Sequence, residues 1–99
     1  MAKNVPVFKV SNGSDVRKLA GCISHSLKGD NHQEKADKVE LVCCGAGSCN
    51  QAVKAITISS SHARLINKTL ITETSFTDID FDGEVRTGIR FTIYFKEWA

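Results

Sequence analysis

The best-defined chemistry in this sequence lies at a glycine turn between an apolar run, residues 39–44, and a helical pattern. The turn consists of Gly45, Ala46 and Gly47. A glycine turn that opens a helix presents unpaired backbone N–H groups and the positive end of the helix dipole, which suits an anion such as phosphate. The other interpretation is that the two glycines only allow a tight turn from strand to helix.

The helix after this turn is predicted to have an apolar and a polar side. The apolar face contains Cys49, Ala52, Val53 and Ile56. The opposite face contains Asn50, Gln51 and Lys54. Two roles remain open for Asn50 and Gln51, which could contact a ligand or hold a neighbouring loop.

Enzymatic chemistry is not indicated. The sequence contains no G-x-S-x-G, no H-E-x-x-H and no complete phosphate-binding loop. Cys49 is placed at a helix start, where a cysteine can serve as a nucleophile, but its periodicity points it into the core. We therefore predict that the chain is not an enzyme and has no small-molecule substrate.

Metal binding is not indicated either. No C-x-x-C pair is present, and the three histidines are scattered, so we predict no metal site and no cofactor. Free, buried thiols indicate a reducing, intracellular compartment. Residues 78–83 match the first half of a calcium loop, but its twelfth position is Ile89 and not a carboxylate. The acidic residues there are expected on the outer side of a hairpin, where they would repel a nucleic-acid backbone.

Composition is that of an ordinary globular protein. The 99 residues are 41% hydrophobic and 24% charged, and we predict one domain over residues 1–99. A net charge of +2 does not decide whether the partner is nucleic acid. We expect neither a membrane span nor a secretion signal, since no long apolar run occurs.

The sequence predicts the element order β-α-β-α-β-β. Strands are expected over residues 5–11, 39–44 and 68–76, with Pro6 favouring an edge position for the first. The first helix is capped by Ser14 and ends at Gly29, and the second ends at about Ser59, in a serine run. Residues 29–38 between them are predicted to form an exposed, mobile loop.

The last strand has the clearest alternation. Odd positions 85–95 are predicted to face the core. Even positions would then present Arg86, Arg90, Tyr94 and Lys96 on the other side. Asp82-Gly83 before this strand is a strong two-residue hairpin signal. These elements predict an α+β two-layer sandwich, with two helices on one face of a small four-stranded sheet.

Two motifs resemble the stage V sporulation protein S family. The first covers residues 45–55 and the second covers residues 76–87, with shorter matches at 9–11 and 20–21. The resemblance extends from about Lys9 to Phe95. This family is similar to the Alba superfamily of small nucleic-acid-binding proteins. The resemblance implies a dimer or larger oligomer that binds DNA or RNA, located in the cytoplasm or nucleoid, and a role in regulating sporulation.

In Alba-type proteins, three regions contact the nucleic acid, and the resemblance implies the matching residues here. Those near the first loop are Lys9, Arg17 and Lys18. Those at the glycine turn and its helix are Gly45, Ala46, Gly47, Asn50, Gln51 and Lys54. Those on the final hairpin are Arg86 and Arg90.

This sequence departs from Alba proteins in charge. They carry paired lysines in the first loop and a basic glycine turn, whereas both segments are without lysine here. Arg86, Arg90 and Tyr94 could instead bind single-stranded bases, or the same strand face could be a dimer interface or plain solvated surface. The alternative function is a protein-interaction or structural oligomer that does not bind nucleic acid.

Overall fold

The computed structural model describes residues 5–32 and 34–97. The elements are β1 (Val7–Val10), α1 (Val16–Lys28), β2 (Val39–Cys43), α2 (Ala46–Leu65), β3 (Lys68–Phe81) and β4 (Glu84–Glu97). The predicted order β-α-β-α-β-β is confirmed. Within these residues, no helix combines the length and apolar character that crossing a membrane requires.

The four strands form one mixed sheet in the order β1-β2-β4-β3. β1 pairs with β2 in parallel, while β4 is antiparallel to both β2 and β3. Both helices contribute to a core formed with one face of the sheet, in which Ile23, Leu41 and Ile93 are fully buried. Burial of each such side chain stabilises the fold by about 1.5–3 kcal/mol. The predicted two-layer sandwich is confirmed, and β1 and β3 are its edge strands.

The start of α1 differs from the prediction by one residue. Asp15, not Ser14, is the N-cap, and its side chain accepts hydrogen bonds from the N–H groups of Arg17 and Lys18. Ser14 Oγ instead accepts a hydrogen bond of 2.8 Å from the Ser11 N–H. The loop before α1 thus closes on itself before the helix begins. The predicted end of α1 at Gly29 is confirmed.

The second helix continues past the predicted end near Ser59 to Leu65. Low serine propensity is overridden because the hydroxyl groups find acceptors. Ser59 Oγ donates to the Ala20 carbonyl of α1 at 3.1 Å, and Ser61 Oγ donates to the Thr57 carbonyl at 3.3 Å. The first of these bonds is buried and ties the two helices together.

The apolar face predicted for α2 is wrong at Val53, whose side chain is 48% exposed. Ala52 is buried, and Cys49 and Ile56 pack against the core as expected. The buried stripe is made of small residues: Ser48, Ala52, Ala55, Ser59 and Ala63. Small side chains let the helix lie close to α1 and the sheet, which turns Val53 toward solvent.

The hairpin of β3 and β4 is longer than predicted, because β3 continues from residue 76 to Phe81. Its turn is the expected pair, Asp82 and Gly83, with φ angles of 52° and 87°. Positive φ at both central residues is the geometry that two-residue hairpins require. Asp80 Oδ1 also accepts a 2.7 Å hydrogen bond from the Gly83 N–H. The first strand is shorter than predicted, over Val7–Val10.

The alternation of β4 holds for the part of the strand that lies under the helices. Phe91 and Ile93 are buried on the helix side, and Ile89 and Phe95 pack against them. Thr87 and Val85, predicted to face the core, are exposed because the distal hairpin, residues 76–87, extends beyond β2. We call residues 76–87 the hairpin arm. On its other face Ile79 is buried and packs against Gly88.

The loop 29–38 is only partly exposed. Ala36 is buried, and its N–H donates a 2.8 Å hydrogen bond to the Ser26 carbonyl of α1. His25 Nε2 lies 3.1 Å from Asp30 Oδ2. These contacts hold both ends of the loop against α1, so the prediction of an exposed loop is wrong for Ala36. Residue 33 lies outside the described residues.

Candidate nucleic-acid interface

Three predicted site segments lie at one end of the sheet. β1 and β2 are parallel, so the loop before α1 and the glycine turn before α2 both follow the carboxyl ends of these strands, at the same end of the sheet. The hairpin arm extends past that end of the sheet beside the glycine turn, with Cys44 Sγ 3.7 Å from the Thr87 carbonyl oxygen. The topology therefore brings together segments that are far apart in sequence.

The start of α2 has no side-chain cap. Gly45 is the N-cap, with φ 93° and ψ 156°, and within residues 5–32 and 34–97 no side chain forms a capping hydrogen bond at this helix start. The Cys49 N–H donates to the Gly45 carbonyl at 3.1 Å. Ala46 and Gly47, the first two residues of α2, are exposed. Their N–H groups, at the positive end of a 20-residue helix, are the donors that could hold an anion.

Ser48 does not compete for that position. Its side chain is buried, and Oγ donates to the Cys44 carbonyl at 2.7 Å and approaches the Gly45 carbonyl at 3.1 Å. The hydroxyl group therefore bonds to carbonyl groups of the turn and does not occupy the N–H groups at the start of α2.

The start of α1 is already occupied by a negative charge. Asp15 Oδ1 accepts hydrogen bonds from the N–H groups of Arg17 at 3.0 Å and Lys18 at 3.1 Å. An anion would be repelled there by the carboxylate. Because Asp15 occupies the N–H groups of Arg17 and Lys18, these two exposed residues could contact an anion only through their side chains.

Two side chains join the first loop to the glycine turn. Gln51 Nε2 donates a 2.9 Å hydrogen bond to the Ser14 carbonyl, so of its two predicted roles it performs that of holding the loop. Asn12 packs its amide so tightly against Gly47 that a side chain at Gly47 would overlap it. Asn12 was not a predicted site residue, because Asn-Gly in sequence signals only a turn. Its amide brings a polar group to the glycine turn.

Asn50 and Lys54 lie one turn apart on α2, and both are exposed. A spacing of four residues puts them on one side of the helix. Gly47 precedes Asn50 by three residues and shares this side. We call Gly45, Ala46, Gly47, Asn50 and Lys54 the turn surface; it carries one formal positive charge.

The predicted cations Lys9, Arg86 and Arg90 lie on the face of the sheet away from the helices. Lys9, Val42, Arg90 and Ser75 form one row across the four strands, on the face away from the helices. Lys9 and Arg90 are two strands apart, which corresponds to about 10 Å. Arg90 is half-buried, and its Nε donates to Ser75 Oγ at 3.2 Å. Tyr94 is half-buried on the same face.

Arg86 is engaged within the hairpin. Its Nε lies 3.3 Å from Glu84 Oε1, and its guanidinium lies 5.5 Å from the centre of the Phe81 ring. Because both charged groups are exposed, the ion pair is weak, and a ligand could displace Glu84. The arginine is therefore preorganised over an aromatic ring but partly neutralised.

A groove of about 340 Å³ separates the hairpin arm from the ends of β1 and β2. Lys9 lies at one side of it, and Phe81, Asp80 and Asp82 line the other. The groove thus offers a cation and an aromatic ring together with two carboxylates. Acidic residues were expected on one outer side of the hairpin, but cross-strand pairing places Asp80 with Val85 and Glu84 with Phe81, on opposite faces.

Behind the glycine turn, two thiols are in contact. Cys43 Sγ and Cys49 Sγ are 2.7 Å apart, and Cys43 Sγ also lies 3.6 Å from the Ile89 carbonyl oxygen. Burial, followed by the hydrogen bond with Cys49, raises the pKa of the Cys43 thiol to about 12. Cys43 therefore remains protonated at neutral pH.

The predicted site residues thus fall into two groups on different sides of the molecule. One group is the turn surface with Gln51, Arg17 and Lys18, and the other consists of the cations Lys9, Arg86 and Arg90 of the outer sheet face.

Comparison with known families gives a match to the model for Stage V sporulation protein S over residues 6–96. This range includes both groups and all six elements except the last residue of β4. The chain belongs to the stage V sporulation protein S family.

Proposed function

We propose that this chain is a non-enzymatic nucleic-acid-binding protein that acts as a dimer or larger oligomer in the cytoplasm or nucleoid. Membership of its family suggests a regulator of sporulation. The observation that carries the proposal is the uncapped start of α2, in contrast to α1, where Asp15 fills the same position. A phosphate group would accept hydrogen bonds from the N–H groups at the start of α2, as the Asp15 carboxylate does at the start of α1.

The turn surface would contact the nucleic-acid backbone. The N–H groups of Ala46 and Gly47 would donate to phosphate oxygens, Lys54 would add charge, and the Asn50 amide could donate to a sugar or phosphate. Such contacts carry no base information. They favour binding that is independent of sequence and sensitive to salt.

The outer sheet face favours single-stranded over duplex nucleic acid. Arg90 and Tyr94 lie on the same face of β4, with Thr92 between them, and both are half-buried, so their planar groups are held in place. Bases of a single strand can stack on such groups, whereas the bases of a duplex are already stacked. The neutral glycine turn would hold a duplex weakly.

A direct test is fluorescence anisotropy with labelled single-stranded RNA, single-stranded DNA and duplex DNA over a salt series. We expect binding to both single strands, weaker binding to the duplex, and an affinity that falls with rising salt. No binding to any of the three at low salt would overturn the proposal. Binding without salt dependence would show that phosphate contacts are not its source.

A protein-interaction or structural oligomer is the second candidate function, and exposed apolar residues favour it. Phe76 on β3 is 80% exposed, and β3 is a long edge strand whose outer side pairs with no strand of the described part of the chain. Such an edge can pair with a second chain. Sedimentation analysis combined with the anisotropy titrations distinguishes the candidates: an oligomer that binds none of the three nucleic acids supports the second one.

A further inference from the structure

We propose that Cys43 and Cys49 form a reversible intramolecular disulfide that closes across the glycine turn, making this strand–turn–helix unit a redox modification site. The two sulfur atoms are already in contact at 2.7 Å, and both residues are free thiols in this structure. The two thiols can form this bond whether or not the turn binds nucleic acid.

The local fold explains why these two cysteines meet. Cys43 is the last residue of β2, and Cys49 lies in the first turns of α2. The chain reverses between them through Gly45, whose positive φ brings the helix back over the strand end. The tight turn therefore places two side chains six positions apart in contact.

The other two cysteines are placed differently. Cys44 directs its Sγ toward the Thr87 carbonyl of the hairpin arm, at 3.7 Å. Cys22 is exposed on α1. Of the four thiols, only Cys43 and Cys49 have a mutual sulfur contact within the described residues.

The difference in exposure assigns a role to each thiol. Cys43 is 1% exposed, whereas Cys49 is only partly buried, so an oxidant reaches Cys49 first. A small disulfide such as oxidised glutathione supplies the oxidising equivalents. The Cys49 thiolate attacks one of its sulfur atoms, the S–S bond breaks, and one glutathione leaves as thiolate and takes up a proton.

The second step forms the protein disulfide. Cys43 loses its proton and attacks the Cys49 sulfur of the mixed disulfide, and the second glutathione leaves. In total, two protein thiols lose two protons and two electrons, and the small disulfide is reduced to two thiols. Because burial raises the pKa of the Cys43 thiol, this second step is slow near neutral pH and accelerates as pH rises.

Mass spectrometry of a tryptic peptide tests the proposal. Cleavage after Lys38 and Lys54 releases residues 39–54, which contain three of the cysteines, while Cys22 lies in another peptide. The folded full-length Cys44→Ser variant is treated with oxidised glutathione, its remaining thiols are alkylated, and it is digested. We expect the peptide to lose two hydrogen atoms and to regain them after reduction.

Matched variants assign the bond. Cys44→Ser and Cys22→Ser should retain the modification, whereas Cys49→Ala and Cys43→Ala should lose it, with Cys43→Ala accumulating a glutathione adduct on Cys49. If Cys43→Ala does not fold, Cys49→Ala and the Cys44→Ser peptide are sufficient. A lasting glutathione adduct or two alkylated thiols in the Cys44→Ser peptide would overturn the proposal.

Discussion

Gln51 on α2 donates a hydrogen bond from Nε2 to the backbone carbonyl oxygen of Ser14, at 2.9 Å and across 37 positions of sequence. The bond fixes the loop before α1 against the helix that follows the glycine turn. The Asn12 side chain is placed against Gly47 in the same junction. Two of the segments proposed to contact nucleic acid therefore form one unit, and the amide of Gln51 is used for holding that unit together.

Replacement of Gln51 by Met should lower the free energy of unfolding by about 1 kcal/mol, because the partly buried Ser14 carbonyl loses its donor while side-chain volume is retained. Urea denaturation measures this change. Asn50→Ala is the matched control on the exposed side of α2, and we expect it to change stability by less than about 0.5 kcal/mol. Equal stabilities of the two variants would contradict the role given to Gln51.

Gly88 on β4 lies close to the Ile79 side chain of β3 and to the backbone of Cys43 at the end of β2. A Cβ at this position would overlap the Ile79 side chain and approach the Cys43 carbonyl oxygen to 2.5 Å. A backbone carbonyl within the sheet cannot move aside as a flexible side chain can. Gly88→Ala should therefore destabilise the fold by about 1–3 kcal/mol, as measured by thermal or urea unfolding.

Gly21 provides the control for Gly88. It lies on the exposed side of α1, and a Cβ there would meet no atom within 4 Å. Gly21→Ala should stabilise the protein by about 0.5–1 kcal/mol, since alanine restricts the unfolded chain and favours the helix. If the two variants shifted stability in the same direction, the packing at Gly88 would be wrongly assigned.

Lys54 carries the formal positive charge of the turn surface, and reversing this charge tests the proposed phosphate contact. Lys54→Glu should weaken binding to all three nucleic acids alike and reduce the magnitude of the salt slope by about 1. The matched control is Lys38→Glu, an exposed lysine at the other end of β2. Anisotropy titrations that gave the two variants the same affinity would remove Lys54 from the interface.

The sequence was sufficient to predict the element order, because each element carries a local signal. The period of α1, the alternation of β4 and the Asp82-Gly83 turn act over a few residues. The structure confirms the helix and the turn, and it confirms the alternation over residues 89–95. The family match over residues 6–96 confirms the resemblance carried by residues 45–55 and 76–87.

The errors arose where distant contacts decide the structure. Val53 has the right spacing for the apolar face but is displaced from it by the small-residue stripe of α2, whose depth depends on α1 and the sheet. The helix passes Ser59 because that hydroxyl bonds to Ala20 of the other helix. Gln51 could not be assigned a role because its partner, Ser14, lies in another segment. Binding by the predicted site residues stays a prediction.

Phe76 tests the proposed oligomer. An aromatic side chain that is 80% exposed on an edge strand contributes little to the stability of one chain, so Phe76→Ser should leave its fold intact. If β3 is the contact between chains, the variant should shift to a lower sedimentation coefficient. Leu65→Ser is the matched control, because Leu65 is 83% exposed at the end of α2. An oligomer unchanged by Phe76→Ser would exclude this surface.

Cys43 should make stability fall at alkaline pH. Burial raises the pKa of its thiol from 9.0 to about 12, so folding favours the protonated form. Below about pH 9 the folded and unfolded chains both keep this proton, and the stabilisation is complete. From about pH 9 to about pH 12 the unfolded chain releases the proton and the folded chain keeps it. The free energy of unfolding should therefore fall by about 1.4 kcal/mol per pH unit from this group alone.

Lysine and tyrosine side chains titrate in the same range, so the contribution of Cys43 must be obtained from a difference. Urea denaturation of the reduced protein is measured through this pH window for the wild type and for Cys43→Ala. The wild type should lose stability more steeply, because the variant has no buried thiol to ionise on unfolding. Cys22→Ala, which removes an exposed thiol, should retain the wild-type slope. Parallel curves for wild type and Cys43→Ala would show that the thiol ionises as readily in the folded chain as in the unfolded one, and that its burial beside Cys49 has no energetic effect.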